Sequence, residues 1–151
     1  MKKLTKLQAY NAMLIFLDRY YGDNKSDNLS DFITYAYFWF DGKPADPAAW
    51  PEWQDALKLT AQQNKGFRNQ NRLTRPQVLL VITNFFKHYC SLYTEVPSDM
   101  VVVLKILDDL QTNKNNSSMW QAWVKAMDEV IIKKDPRFYI EAASKSNKSD
   151  I

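Results

Sequence analysis

Glycine is scarce in this chain, with three in 151 residues. So few argue against the Gly-rich loops that cradle nucleotides and against an all-β protein with many tight turns. The single cysteine, Cys90, excludes an internal disulfide and a thiolate metal cluster, and suits a reducing compartment. No window approaches the roughly 20 apolar residues that a membrane-spanning helix needs. Met1-Lys2-Lys3 begins as a signal peptide would, but Gln8, Asn11 and Asp18 interrupt the apolar stretch after it and no small-residue cleavage site appears. The net charge is only +3, with acids and bases interleaved, which gives no basis for nucleic-acid or membrane binding. These absences lead to the expectation of a soluble cytoplasmic protein without a cofactor.

What the chain does have is apolar and aromatic content, 46% and 14%. That is enough to bury a core, either in one domain or in two half-sized units that share it. The sequence also says nearly the same thing twice. Leu4-Thr5-x-x-Gln8 opens the first half and Leu73-Thr74-x-x-Gln77 the second. Phe16 and Tyr20 come next in the first copy, Phe85 and Tyr89 at the same offset in the second. Both copies close on paired tryptophans, Trp50-x-x-Trp53-x-x-Ala56-Leu57 and Trp120-x-x-Trp123-x-x-Ala126-Met127.

Thr5 with Gln8, and Thr74 with Gln77, have the spacing of a capping box, so a helix is expected from about Lys6 and again after Thr74. Leu7, Tyr10, Met13, Leu14, Leu17 and Tyr21 then form the stripe of a helix with one buried face, as do Val78, Leu79, Ile82, Phe85, Phe86 and Tyr89. Pro76 falls in the first turn, where its missing N–H costs nothing. The middle element of the first copy, Phe32 to Phe40, could be read as a strand from its aromatic and β-branched content. Its counterpart, Met100 to Leu110, keeps helical spacing at Val103, Leu104, Leu107 and Leu110 and favours helix for both. Asp46-Pro47 marks the third helix, with an irregular first turn expected around Pro51; Asn116-Ser117-Ser118 starts its counterpart. The expected fold is therefore all-α: two tandem three-helix repeats sharing a core, over about 4–61 and 73–132, joined by a basic linker, 62–72, and followed by a short C-terminal helix and tail, 133–151.

No catalytic constellation emerges. His88 and Cys90 stand two apart on a helix and diverge. Asp108-Asp109 and Asp128-Glu129 are adjacent pairs without a third ligand at helical spacing, and read as solvated faces. Lys65, Arg68, Arg72 and Arg75 carry one interleaved aromatic, Phe67, and read as a solubilising linker. The paired tryptophans are expected to lock the third helix of each unit onto the other two. The run Tyr35, Tyr37, Phe38, Trp39 and Phe40 would surround its helix with aromatics, more than one buried face can hide, so some are expected to meet the second repeat or a partner.

The opening Leu4-Thr5-x-x-Gln8-Ala9-Tyr10, followed by Asp41-Gly42-Lys43-Pro44-Ala45-Asp46-Pro47-Ala48-Ala49-Trp50-x-x-Trp53, resembles a group of small bacterial immunity proteins. These are encoded beside polymorphic and contact-dependent growth inhibition toxins. The likeness covers most of the first half; the second copy has Asn116-Ser117-Ser118-Met119 where the first has Asp-Pro-Ala-Ala. It implies a non-enzymatic antidote that binds the toxic C-terminal domain of a delivered effector, one to one, and occludes its active site. A nuclease toxin carries a basic cleft, against which a blocker sets carboxylates. Asp41, Asp46, Glu52 and Asp55, with Trp39 and Phe40 just before them, form the candidate partner surface. A helical-repeat adaptor for some other protein is the alternative, and an enzyme a distant third.

Overall fold

The computed structural model describes residues 3–38, 43, 45–67, 71–112 and 117–132. The fold is all-α, two tandem three-helix repeats around one core. The first repeat runs β1 (Leu4–Thr5), α1 (Lys6–Tyr21), α2 (Asp27–Ala36) and α3 (Ala49–Gln63). The second runs β2 (Arg72–Leu73), α4 (Arg75–Ser91), α5 (Ser98–Thr112) and α6 (Ser118–Ile132). The expected C-terminal helix lies outside the described residues. Among those described, no helix is long and apolar enough to cross a membrane.

Both capping boxes form. Thr5 Oγ1 accepts from the Gln8 amide at 3.1 Å and Gln8 Oε1 accepts from the Thr5 amide at 2.8 Å. Thr74 and Gln77 repeat this at 3.4 and 2.8 Å. Just before each box the chain is extended, and the two stretches pair as an antiparallel ladder with Leu4 opposite Leu73 and Thr5 opposite Arg72. This ladder is too short to have a periodicity the sequence could reveal. It sets equivalent residues of the two repeats face to face. Equivalent positions meet again between α2 and α5, where Asn28 Nδ2 donates to both carboxylate oxygens of Asp99 at 3.1 Å. The repeats are thus related by an approximate two-fold axis running between these two contacts. Gly22 ends α1 at φ 53°, a conformation that favours glycine.

The third helices exchange places. α6 packs along α1 and α3 along α4, so each repeat completes the other. Trp123 meets Phe16 edge-on at 5.6 Å, and Trp53 meets Phe85 in the same way at 5.5 Å. Trp53 also touches Tyr10 of its own repeat, at 5.2 Å. The expectation that each tryptophan pair locks its helix within its own unit is corrected accordingly. An amphipathic stripe specifies which face is apolar but not which apolar face it meets, and α1 and α4 offer similar ones. Adjacent acids on α6 tie it to both first helices: Glu129 pairs with Arg19 of α1 across the repeats, and Asp128 with Arg75 of α4 within its own repeat at 2.7 Å. They bridge helices at a solvent-accessible surface, with the Asp128 side chain 49% exposed.

Further expectations are revised. α1 is buried on all sides from Ala9 to Leu17 because it is central, whereas the one-sided stripe rule describes a surface helix. α2 ends at Ala36, so Tyr37 and Phe38, both buried, lie beyond the helix and not around it; Trp39 and Phe40 of the aromatic run lie outside the described residues. Phe67, read as part of a solubilising linker, is a core residue at 5% exposure. Asp46-Pro47, expected to start the third helix, instead form a turn closed by the Asp46 carbonyl and the Ala49 amide, and α3 starts at Ala49 with Ala48 as its N-cap and Pro51 in its first turn.

Cys90 is 2% exposed, and burial, with Asp99 adding to it, pushes its thiol up to about 11. The thiolate is the reactive form, so native protein at pH 7.5 is expected to resist iodoacetamide while denatured protein is alkylated quickly, as read by mass spectrometry.

Candidate functional site

Of the expected partner residues, Trp39, Phe40 and Asp41 lie outside the described residues. Asp46 is occupied locally: its Oδ1 accepts from the Ala48 amide at 2.9 Å and its carbonyl from the Ala49 amide at 3.1 Å. That turn launches α3. Ala49 is fully buried, and Trp50 lies 5.6 Å from the Tyr10 ring and 6.2 Å from that of Phe38. The Asp46–Trp50 stretch therefore anchors the helix start and sets the position of Glu52 one turn on. Asp55, a turn further, is exposed.

Glu52 is the expected residue that the fold brings into contact with other elements. Its carboxylate accepts from the Tyr35 hydroxyl of α2, and His88 Nε2 of α4 stands 3.8 Å away. From there a row of half-buried tyrosines crosses the surface. Tyr35 and Tyr89 rings are 5.1 Å apart, and Tyr89 and Tyr93 rings 6.0 Å. Phe32 underlies Tyr89 at 4.9 Å. Tyr93 Oη donates to Asn28 Oδ1 at 3.5 Å, and Asn28 reaches Asp99. A continuous band of carboxylates and tyrosines thus runs from α3 across α2 and α4 to α5.

Burial raises the Tyr35 phenol well above its usual range, and the hydrogen bond and charge of Glu52 raise it further. Burial also raises Tyr89, with Tyr93 and then Asp31 adding. Both rings therefore stay protonated and present neutral donors beside fixed negative charge. Asp99 behaves oppositely. Hydrogen bonding by Ser26, then Asn28 and the Met100 amide, holds it below its ordinary value of 3.8 against the opposing effect of burial. A carboxyl depressed in the folded state stabilises the fold above its unfolded pKa, and that contribution is lost as pH falls through the folded value. Wild type and Asp99→Asn are accordingly expected to differ in stability at pH 7 and to converge below pH 3.8 in urea melts.

The two-fold relation supplies an internal control. Asn84, Phe85, His88 and Tyr89 on α4 stand where α1 has Ile15, Phe16, Arg19 and Tyr20. Glu52, Asp55 and Ala56 on α3 stand where α6 has Ala122, Lys125 and Ala126. Those seven residues of α1 and α6 line a cavity of about 200 Å³, floored by the stacked Phe16 and Tyr20 rings at 5.4 Å and rimmed by Arg19 and Lys125. The equivalent positions thus differ in charge: the α1/α6 groove has Lys125 and an Arg19 that is paired with Glu129, while the α3/α4 side has Asp55 and Glu52.

Sequence reasoning placed Tyr89 in a buried stripe, read Asn28 among the capping residues of the middle helix, whose N-cap is Ser26, and passed over Tyr93 and Asp31. The i, i+4 spacing of Tyr89 and Tyr93 was a visible sign of a shared face. Their meeting with α2 was not, because it depends on how the repeats pack.

Comparison of the chain with protein-family models, with curated proteins and with solved structures finds no match.

Proposed function

We propose that this chain is an immunity protein that binds the toxic C-terminal domain of a delivered bacterial effector, a nuclease, inside the cell and occludes its active site through the carboxylate–tyrosine band. The observation that carries this reading is the contrast between equivalent grooves. The same scaffold positions hold Ala122 and Lys125 in the second repeat, so the repeat itself does not require carboxylates beside α4; Asp55 is exposed there, and Glu52 also accepts from the Tyr35 hydroxyl. A nuclease that acts on a polyanion has a basic cleft, and an acidic surface both steers association and pairs with that cleft. Tyrosines suit the rest of the contact, since they offer large amphipathic area at low entropic cost. The stretch that resembles immunity proteins, Asp46 to Trp53, is also the one that sets Glu52 in place.

Co-expression with the C-terminal domain encoded immediately upstream tests this. Cells are expected to survive, and the two chains to co-purify as a stable complex. A toxic neighbour that is neither bound nor neutralised would shift the reading to a helical-repeat adaptor for another protein.

A further inference from the structure

Three of the exposed large hydrophobics flank the connection between α4 and α5, Leu92 at the end of α4 at 65% exposure, and Val101 and Val102 near the start of α5 at 49% and 54%. None is needed by the repeat. Aligning Leu29, Phe32 and Ala36 of α2 with Met100, Val103 and Leu107 of α5, all buried, sets Ser30 and Asp31 opposite Val101 and Val102. The first repeat therefore makes the same helix with polar groups at these positions. Exposed aliphatics retained where the scaffold accepts serine and aspartate point to a contact.

We propose that this corner extends the partner surface, with Leu92, Val101 and Val102 as the apolar anchor for a basic protein surface on the toxin domain. This rests on the toxin-binding reading. Two observations commit the corner to that occupant. The first is charge: Glu95 is exposed in the connecting turn, Asp99 lies in the first turn of α5, and the Asn28–Asp99 contact brings the start of α2, with exposed Asp27, to the same end. Lys25, just before α2, is already paired with Asp18 at 3.0 Å, and Lys105, one turn along α5 from Val101 and Val102, is an exposed cation outnumbered by these acids. The second is continuity, because Tyr93 joins this corner to the tyrosine row through Asn28. Apolar anchors beside carboxylates fit a partner that presents aliphatic or aromatic side chains among lysines and arginines.

The test uses the full chain and the toxin domain encoded upstream. Leu92→Lys and the double variant Val101→Lys/Val102→Lys change exposed side chains, so circular dichroism and the melting temperature should match wild type. Their affinity for the toxin domain, measured by calorimetry, is expected to fall at least about tenfold, while Lys125→Glu on the opposite groove binds as wild type does. If the lysine variants bind with full affinity while Glu52→Lys does not, the corner is overturned and the band stands. If wild type forms no complex, both fall. If the variants alter only self-association of the free chain, the patch belongs to a second copy and the inference is overturned.

Discussion

Replacing Trp123 by alanine is expected to destabilise the whole molecule by about 3–5 kcal/mol, not the second repeat alone. Trp123 is 1% exposed and packs on Phe16, a first-repeat residue, just as Trp53 packs on Phe85 of the second. Each repeat uses the other's third helix, so neither retains a core by itself. Unfolding in guanidinium should show one transition, with circular dichroism and fluorescence of the remaining tryptophans coincident. Trp53→Ala should behave alike, since it sits at the equivalent contact. Trp123→Phe should cost clearly less than alanine, because it keeps an aromatic ring against Phe16, and the indole N–H it removes has no protein partner among the described residues. Two separable transitions, or loss of only half the helical signal, would mean that the repeats are independent and the exchange of helices wrong.

Glu52→Lys is expected to weaken binding of the toxin domain by about 100- to 1000-fold and to abolish protection in co-expression. The reversal puts a cation where the partner is expected to bring its own, and it removes the acceptor of the Tyr35 hydroxyl. Glu52→Gln separates these effects. It retains an acceptor for Tyr35 but not the charge, so its melting temperature should stay at the wild-type value while affinity falls about tenfold and depends less on salt. Lys125→Glu should leave affinity unchanged although it shifts the net charge as far as Glu52→Lys does, in the opposite direction, because it lies in the other groove. A gain at Lys125 as large as the loss at Glu52 would show that overall charge, not the band, governs association.

The helices were legible because their determinants are local. A capping box is a contact between residues three apart, and an apolar stripe lies within a few turns, so Thr5 with Gln8, Thr74 with Gln77 and the run from Met100 to Leu110 announced their helices directly. Phe67 and the extended Tyr37 and Phe38 were misread for the same reason. Nothing in their neighbours along the chain shows that the core closes over them. In the candidate site, Glu52 and Asp55 could be singled out from their cluster of acids, whereas His88, Tyr93 and Asn28 gained significance only when α2, α3 and α4 were brought side by side.

By itself the sequence determined the duplication, the helical class and the apolar face of most helices, since each arises from hydrogen bonds and periodicity over a few residues. Tertiary structure alone decided that α6 lies on α1 and α3 on α4, and that Glu52 of α3 meets Tyr35 and His88. Two first helices with apolar residues at equivalent positions offer similar surfaces, so local pattern cannot distinguish packing within a repeat from packing across repeats. The choice is made by closure of the whole chain around one shared core.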